Sequence, residues 1–135
     1  LLNESVEGKK IIEQITNENR IKDKEYKEIE KKLLEEKNQI LSQKNLLEKS
    51  EYEKKVKDHG EKIAIHQKKK QNELTQLQSK RNNLTKKLLL KINSVIVEYA
   101  NANDIMTIIN KDAVIITKNN LDITKNILTK LNSKN

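Results

Sequence analysis

Residues 12–40 read IEQITNENRIKDKEYKEIEKKLLEEKNQI, and their spacing decides the fold. Stepping by alternate threes and fours from Ile12 lands on Ile15, Asn19, Lys22, Tyr26, Ile29, Leu33, Glu36 and Ile40. That step is the heptad period of a helix with one seam, and no proline or glycine interrupts it between Lys9 and Gln43. Four of the slots are apolar isoleucines and one is a leucine, whereas Asn19, Lys22 and Glu36 are polar, so the seam is broken.

A second run follows. Ser50-Glu51-Tyr52-Glu53 fits a capping box, with Ser50 at the cap and Glu53 reaching back. From there the slots are Tyr52, Val56, His59, Ile63, His66, Lys70, Leu74, Leu77, Arg81, Leu84, Leu88, Lys91 and Val95. The spacing predicts helices over about 4–41 and 50–102 around a polar tip at about 42–49. A joint that short makes the helices antiparallel neighbours. Helices of that size are roughly 50–75 Å long at about 1.5 Å per residue. Gly60 adds a soft spot worth about 1 kcal/mol against alanine.

The character changes at Asn101. Asn101-Ala102-Asn103-Asp104 favours caps and turns. Ile105 to Ile109 and Ala113 to Thr117, split by Asn110-Lys111-Asp112, read as a β-hairpin. Both runs are apolar on both faces, and such strands need cover on two sides. Ile123, Ile127, Leu128 and Leu131 make a short amphipathic helix that supplies one cover, with Thr124 as its cap. The second cover comes from the base of the long helices or from another subunit, which is the sequence's own argument for an oligomer. The expected organisation is a helical arm over 1–100 and an assembly base over 101–135, an α+β but mainly α fold.

Composition narrows the chemistry. The chain has 135 residues, 34% of them apolar, 36% charged and 2% aromatic, with no Phe, Trp, Cys or Pro. The lack of bulky aromatics argues against a thick core, and the lack of cysteine excludes disulfides and thiolate metal sites. The only glycines are Gly8 and Gly60, so there is no glycine-rich phosphate loop and no sign of ATP use. His59 and His66 are seven apart, where metal ligands on a helix sit one turn apart, so they read as polar seam residues. Carboxylates such as Glu35 and Glu36 read as solvated helix face. No catalytic apparatus or cofactor site is legible, and no apolar run approaches membrane-spanning length.

The net charge is +8, and the stretch from Lys54 to Lys91 holds 12 basic and 3 acidic residues. Such a stripe suits acidic partners, including nucleic acid and anionic lipid. A solvated helix face in a chain rich in Lys, Asn and Ile, as an AT-rich genome would impose, is the competing reading. No aromatic interleaving or base-reading motif accompanies the charge, so no specific nucleic-acid partner is expected.

Three stretches taken together resemble the Skp/OmpH family of periplasmic chaperones. They are Leu2-Asn3-Glu4-Ser5-Val6-Glu7-Gly8-Lys9-Lys10, then Asn103-Asp104-Ile105 through Asp112-Ala113-Val114-Ile115, then Leu121-Asp122-Ile123-Thr124 leading to Leu131-Asn132. Family members usually carry a β-strand ahead of the stretch that begins here at Leu1, and a removed signal peptide is presumed. The resemblance implies a jellyfish-like homotrimer, with β body and helical arms, acting as an ATP-independent holdase for unfolded outer-membrane proteins in the periplasm. It implies a trimer base containing Ile105, Ile108, Ile109, Val114, Ile115, Ile116, Ile127 and Leu131. Client-facing arm residues would be Ile29, Leu33, Ile40, Val56, Ile63, Leu74 and Leu77. Contact with lipopolysaccharide or an anionic membrane surface would fall on Lys80, Arg81 and Lys87. A structural coiled-coil or scaffold protein, a prefoldin-like holdase and a basic nucleic-acid binder are the alternatives. In the prefoldin-like case the β-hairpins would lie between the helices instead of after them.

Overall fold

The computed structural model describes residues 1–134; Asn135, the last residue of the expected base, lies outside the described residues. Among the described residues there are three α-helices: α1 (Val6–Ser42), α2 (Lys49–Ala102) and α3 (Thr124–Ser133). Two short 3-10 turns, Lys111–Ala113 and Asn119–Leu121, lie between α2 and α3. The chain divides into two compact units, one made of 1–15 with 80–135, the other of 16–79.

In the unit formed by 16–79, α1 and α2 run antiparallel about the turn that follows Ser42. Cross-helix partners fall in number on one helix as they rise on the other: Gln43 takes Lys55, Glu36 takes His59, Glu30 takes His66, and Tyr26 takes Glu73. The turn closes on carbonyls of α1's last turn and of Gln43, with Leu46 and Leu47 both donating to the Gln43 carbonyl. Since α2 already begins at Lys49, Ser50 stands inside its first turn and not ahead of it, and the expected capping box gives way to that earlier start.

The other unit has the apolar core. Leu88, Ile92 and Val95 of α2 pack with Ile127 and Leu131 of α3, and Leu1, Leu2, Ile11, Ile96, Tyr99 and Ile123 close around them. At the start of α1, Ser5 is the cap: its Oγ accepts from the Gly8 amide at 3.0 Å and donates to the Leu2 carbonyl at 3.0 Å. The hook of residues 1–5 then folds so closely over α1 that any side chain at Gly8 would overlap the Leu2 carbonyl oxygen. The Val6 amide donates to Asn132 Oδ1 at 3.0 Å, fastening the hook to α3. Lys134 pairs with Glu98 at 2.6 Å, and Asn126 Nδ2 donates to the Tyr99 hydroxyl at 2.8 Å.

Helix α2 ends where the turn residues predict. The Asn103 and Ile105 amides both return to the Ala100 carbonyl, at 3.2 and 3.0 Å, around Asp104 in the left-handed region at φ 53°. That is a Schellman-type stop with aspartate in the place glycine favours.

The expected β-hairpin is not confirmed in the single chain. No strand occurs among the described residues, and 105–110 run without regular structure. Local bonds hold the would-be turn instead: Asn110 Oδ1 accepts from the Asp112 amide, and Val114 bonds back to Lys111 to close the 3-10 turn. Two strands that are apolar on both faces lack a second cover in one chain, so Met106 and Ile115 stand 99% and 98% exposed. The cap of α3 is also shifted. Thr124 is its first residue, and Asp122 Oδ1 accepts the Thr124 amide at 3.0 Å, so the aspartate does the capping assigned to threonine.

Candidate functional site

Two surfaces stand out, one in each unit. In the unit of 1–15 with 80–135 it is the segment from Ile105 to Leu121. Of the expected base residues, Ile127 and Leu131 lie fully buried in the chain's own core. Ile105 and Val114 are half-buried, whereas Ile108, Ile109, Ile115 and Ile116 are exposed, Ile116 at 90%. Met106 and Leu121 add to the same exposed apolar segment. The segment is pinned to the start of α3 by an ion pair between Lys111 and Asp122. Lys111 first, and then the Thr124 hydroxyl and amide, hold the Asp122 carboxyl well below the usual carboxylate range. Exposed apolar side chains in sequence on one segment make it a candidate interaction surface.

In the unit of 16–79 it is the seam between α1 and α2. Ile40 is buried, Ile29, Leu33, Ile63 and Leu77 are half-buried, and Val56 and Leu74 are exposed. The expected arm residues therefore divide between the seam and the outer surface. Much of the seam is polar. His59 Nδ1 lies 3.2 Å from Glu36 Oε2, and Lys62 pairs with the same carboxylate. His66 Nε2 lies 3.4 Å from Glu30 Oε1, which Lys70 also meets at 2.8 Å. Tyr26 donates its hydroxyl to Glu73 at 2.7 Å, Lys22 stands 3.4 Å from that carboxylate, and the Lys70 ammonium sits 5.2 Å above the Tyr26 ring.

These contacts set the charge states. Lys70 and then His66 hold the Glu30 carboxyl below its ordinary value, and Lys62 and then His59 do so for Glu36. The Tyr26 hydroxyl is the chief cause for Glu73. Tyr26 itself is pushed up to about 12, by burial first and by its bond to Glu73 second. Sequence reading missed these carboxylates. Glu36 is half-buried in the seam, not solvated, and its heptad slot three residues after Leu33 was the available signal; Glu35 is exposed. Both histidines are buried in the seam, bonded to α1 carboxylates.

Lys80, Arg81 and Lys87 are all exposed on α2, in the unit that holds the apolar core. No helix among the described residues is long and apolar enough to cross a membrane.

The described residues thus form a helical hairpin with a polar seam and a small core carrying an exposed apolar segment. A family model described as outer membrane protein (OmpH-like) matches residues 1–131. The chain belongs to the OmpH-like family, whose members are periplasmic chaperones of outer-membrane proteins. Neither the curated proteins nor the solved structures offer a match.

Proposed function

We propose that this chain is an ATP-independent periplasmic holdase that keeps unfolded outer-membrane proteins from aggregating, held among the helical arms of a homotrimer. The observation that carries the reading is the exposed apolar segment around Met106, Ile115 and Ile116, beside a core that the chain completes by itself. In the trimer, Ile105, Ile108, Ile109, Val114, Ile115 and Ile116 meet their copies, and the runs 105–109 and 113–117 pair as strands once a second cover is supplied. Ile127 and Leu131 support that surface from within the core.

The arms bind by number instead of depth. Ile29, Leu33, Ile40, Val56, Ile63, Leu74 and Leu77 offer scattered apolar contacts among many lysines, which suits a client with exposed apolar strands and negative charge. Weak contacts leave the client mobile, so little conformational entropy is lost, and three arms multiply the affinity. Release needs no nucleotide, because the client gains more by folding into a bilayer than it loses on leaving. Lys80, Arg81 and Lys87, further along α2, offer a contact for lipopolysaccharide or an anionic membrane surface.

The test is aggregation of a urea-denatured outer-membrane β-barrel protein on dilution, followed by light scattering. Suppression at one trimer per client is expected. Unchanged scattering at a severalfold excess of trimer refutes the reading.

A further inference from the structure

Between Thr16 and Ser79 the helices meet with little apolar cover. Among the described residues of that unit, Tyr26 and Ile40 are the only buried apolar side chains, and the other buried ones are His59 and His66. Three carboxylates cross the interface in their stead, each to two groups of the opposite helix. Glu36 of α1 meets His59 and Lys62, Glu30 of α1 meets His66 and Lys70, and Glu73 of α2 meets Tyr26 and Lys22. Lys22 is shared with Glu25 on its own helix at 3.0 Å, and Lys69 adds its charge beside Glu73. His59 keeps its Nε2 buried without a partner, so Glu36 is that ring's single anchor. The unit of 1–15 with 80–135 is built otherwise, on an apolar cluster of five buried side chains.

We propose that the helix pair of residues 16–79 is a charge-held clasp, which opens in acid and uncovers its half-buried apolar seam while the apolar unit stays folded. Protonating the three carboxyls takes the counter-charge from Lys62 and Lys70, leaves Lys22 paired only with Glu25 of its own helix, and removes the charged acceptors of both imidazoles. Exposed pairs are individually weak. What makes their loss decisive is how little else joins the helices there. Each carboxyl is held below the ordinary value of 4.5 by its cross-helix donors. A carboxyl depressed in the folded state contributes stability above its unfolded value and loses it as pH falls through the folded one, so the opening window lies below about 4.5. Resting on the chaperone reading, the same step turns Ile29, Leu33, Ile63 and Leu77 into client-binding surface, giving the arm more capacity when external acid denatures clients.

The chain has no cysteine, so label pairs can be placed without background. Leu34→Cys with Ile65→Cys reports on the clasp and Asn93→Cys with Lys125→Cys on the apolar unit, all four positions being exposed. Spin-labelled chain, diluted into unlabelled chain without client, is followed by pulsed electron paramagnetic resonance from pH 7 to 3.5. The first distance should broaden and lengthen by about 10 Å, one helix diameter, while the second holds. Glu30→Gln, Glu36→Gln and Glu73→Gln combined should give the open distribution at pH 7 with no further change in acid. A clasp distance constant down to pH 3.5, a closed triple variant, or both distances changing together would overturn the proposal. Because no client is present, such a result leaves the holdase reading standing, and failed aggregation suppression leaves the clasp standing.

Discussion

The same substitution at the two glycines should act in opposite directions. Gly8→Ala puts a methyl against the Leu2 carbonyl, which is backbone and cannot swing aside, so the hook of residues 1–5 must open. Opening breaks both hydrogen bonds of the Ser5 hydroxyl and the bond from Val6 to Asn132. It also lifts Leu1 and Leu2 from the core. At about 0.5 kcal/mol net for each of the three bonds, whose groups regain water, and about 1 kcal/mol for each of the two half-buried leucines, the loss is about 3–4 kcal/mol. The gain in helix propensity returns about 1 kcal/mol, leaving Gly8→Ala about 2–3 kcal/mol less stable. At Gly60 a methyl meets nothing within 4 Å, and only the propensity acts. Gly60→Ala should therefore be about 0.5–1 kcal/mol more stable. Urea unfolding followed by far-ultraviolet circular dichroism measures both. A neutral or stabilising Gly8→Ala would refute the account of the hook.

Three further outcomes follow from single contacts. Asp104→Gly should stabilise the chain by about 0.5–1 kcal/mol in the same urea assay, since aspartate there holds the left-handed conformation that glycine adopts freely. Leu131→Ala should cost about 2–5 kcal/mol, because the side chain is fully buried against Leu88 and its neighbours, and thermal unfolding will report it. In an absorbance titration, Tyr26 should ionise near 12, and Tyr26→Phe should remove that step. A tyrosine raised in the folded state contributes fully below its ordinary value of 10.0, and the contribution is lost as pH climbs from there toward 12.

The sequence made the helical hairpin legible because helix is local. Heptad spacing and an unbroken run from Lys9 to Gln43 state it without reference to the rest of the chain. Asn103 and Asp104 likewise announce the stop of α2, since a helix end is satisfied within a few residues. The hairpin over 105–117 was not legible in the same way: its apolar runs and turn are local, but its stability is set by a second covering surface. Asp122 displaced Thr124 as the cap because its carboxylate can accept the Thr124 amide and pair with Lys111 at once. Glu36 was misread because a charge in a heptad slot looks like a solvated face until the opposite helix is known to bring His59 and Lys62 to it.

The most direct test of the account is the mass of a complex. Chain mixed with a urea-diluted outer-membrane β-barrel protein is passed through size exclusion with multi-angle light scattering. The account predicts one soluble particle containing three chains of 15.8 kDa and a single client. A chain that elutes at 15.8 kDa by itself while the client precipitates would contradict it.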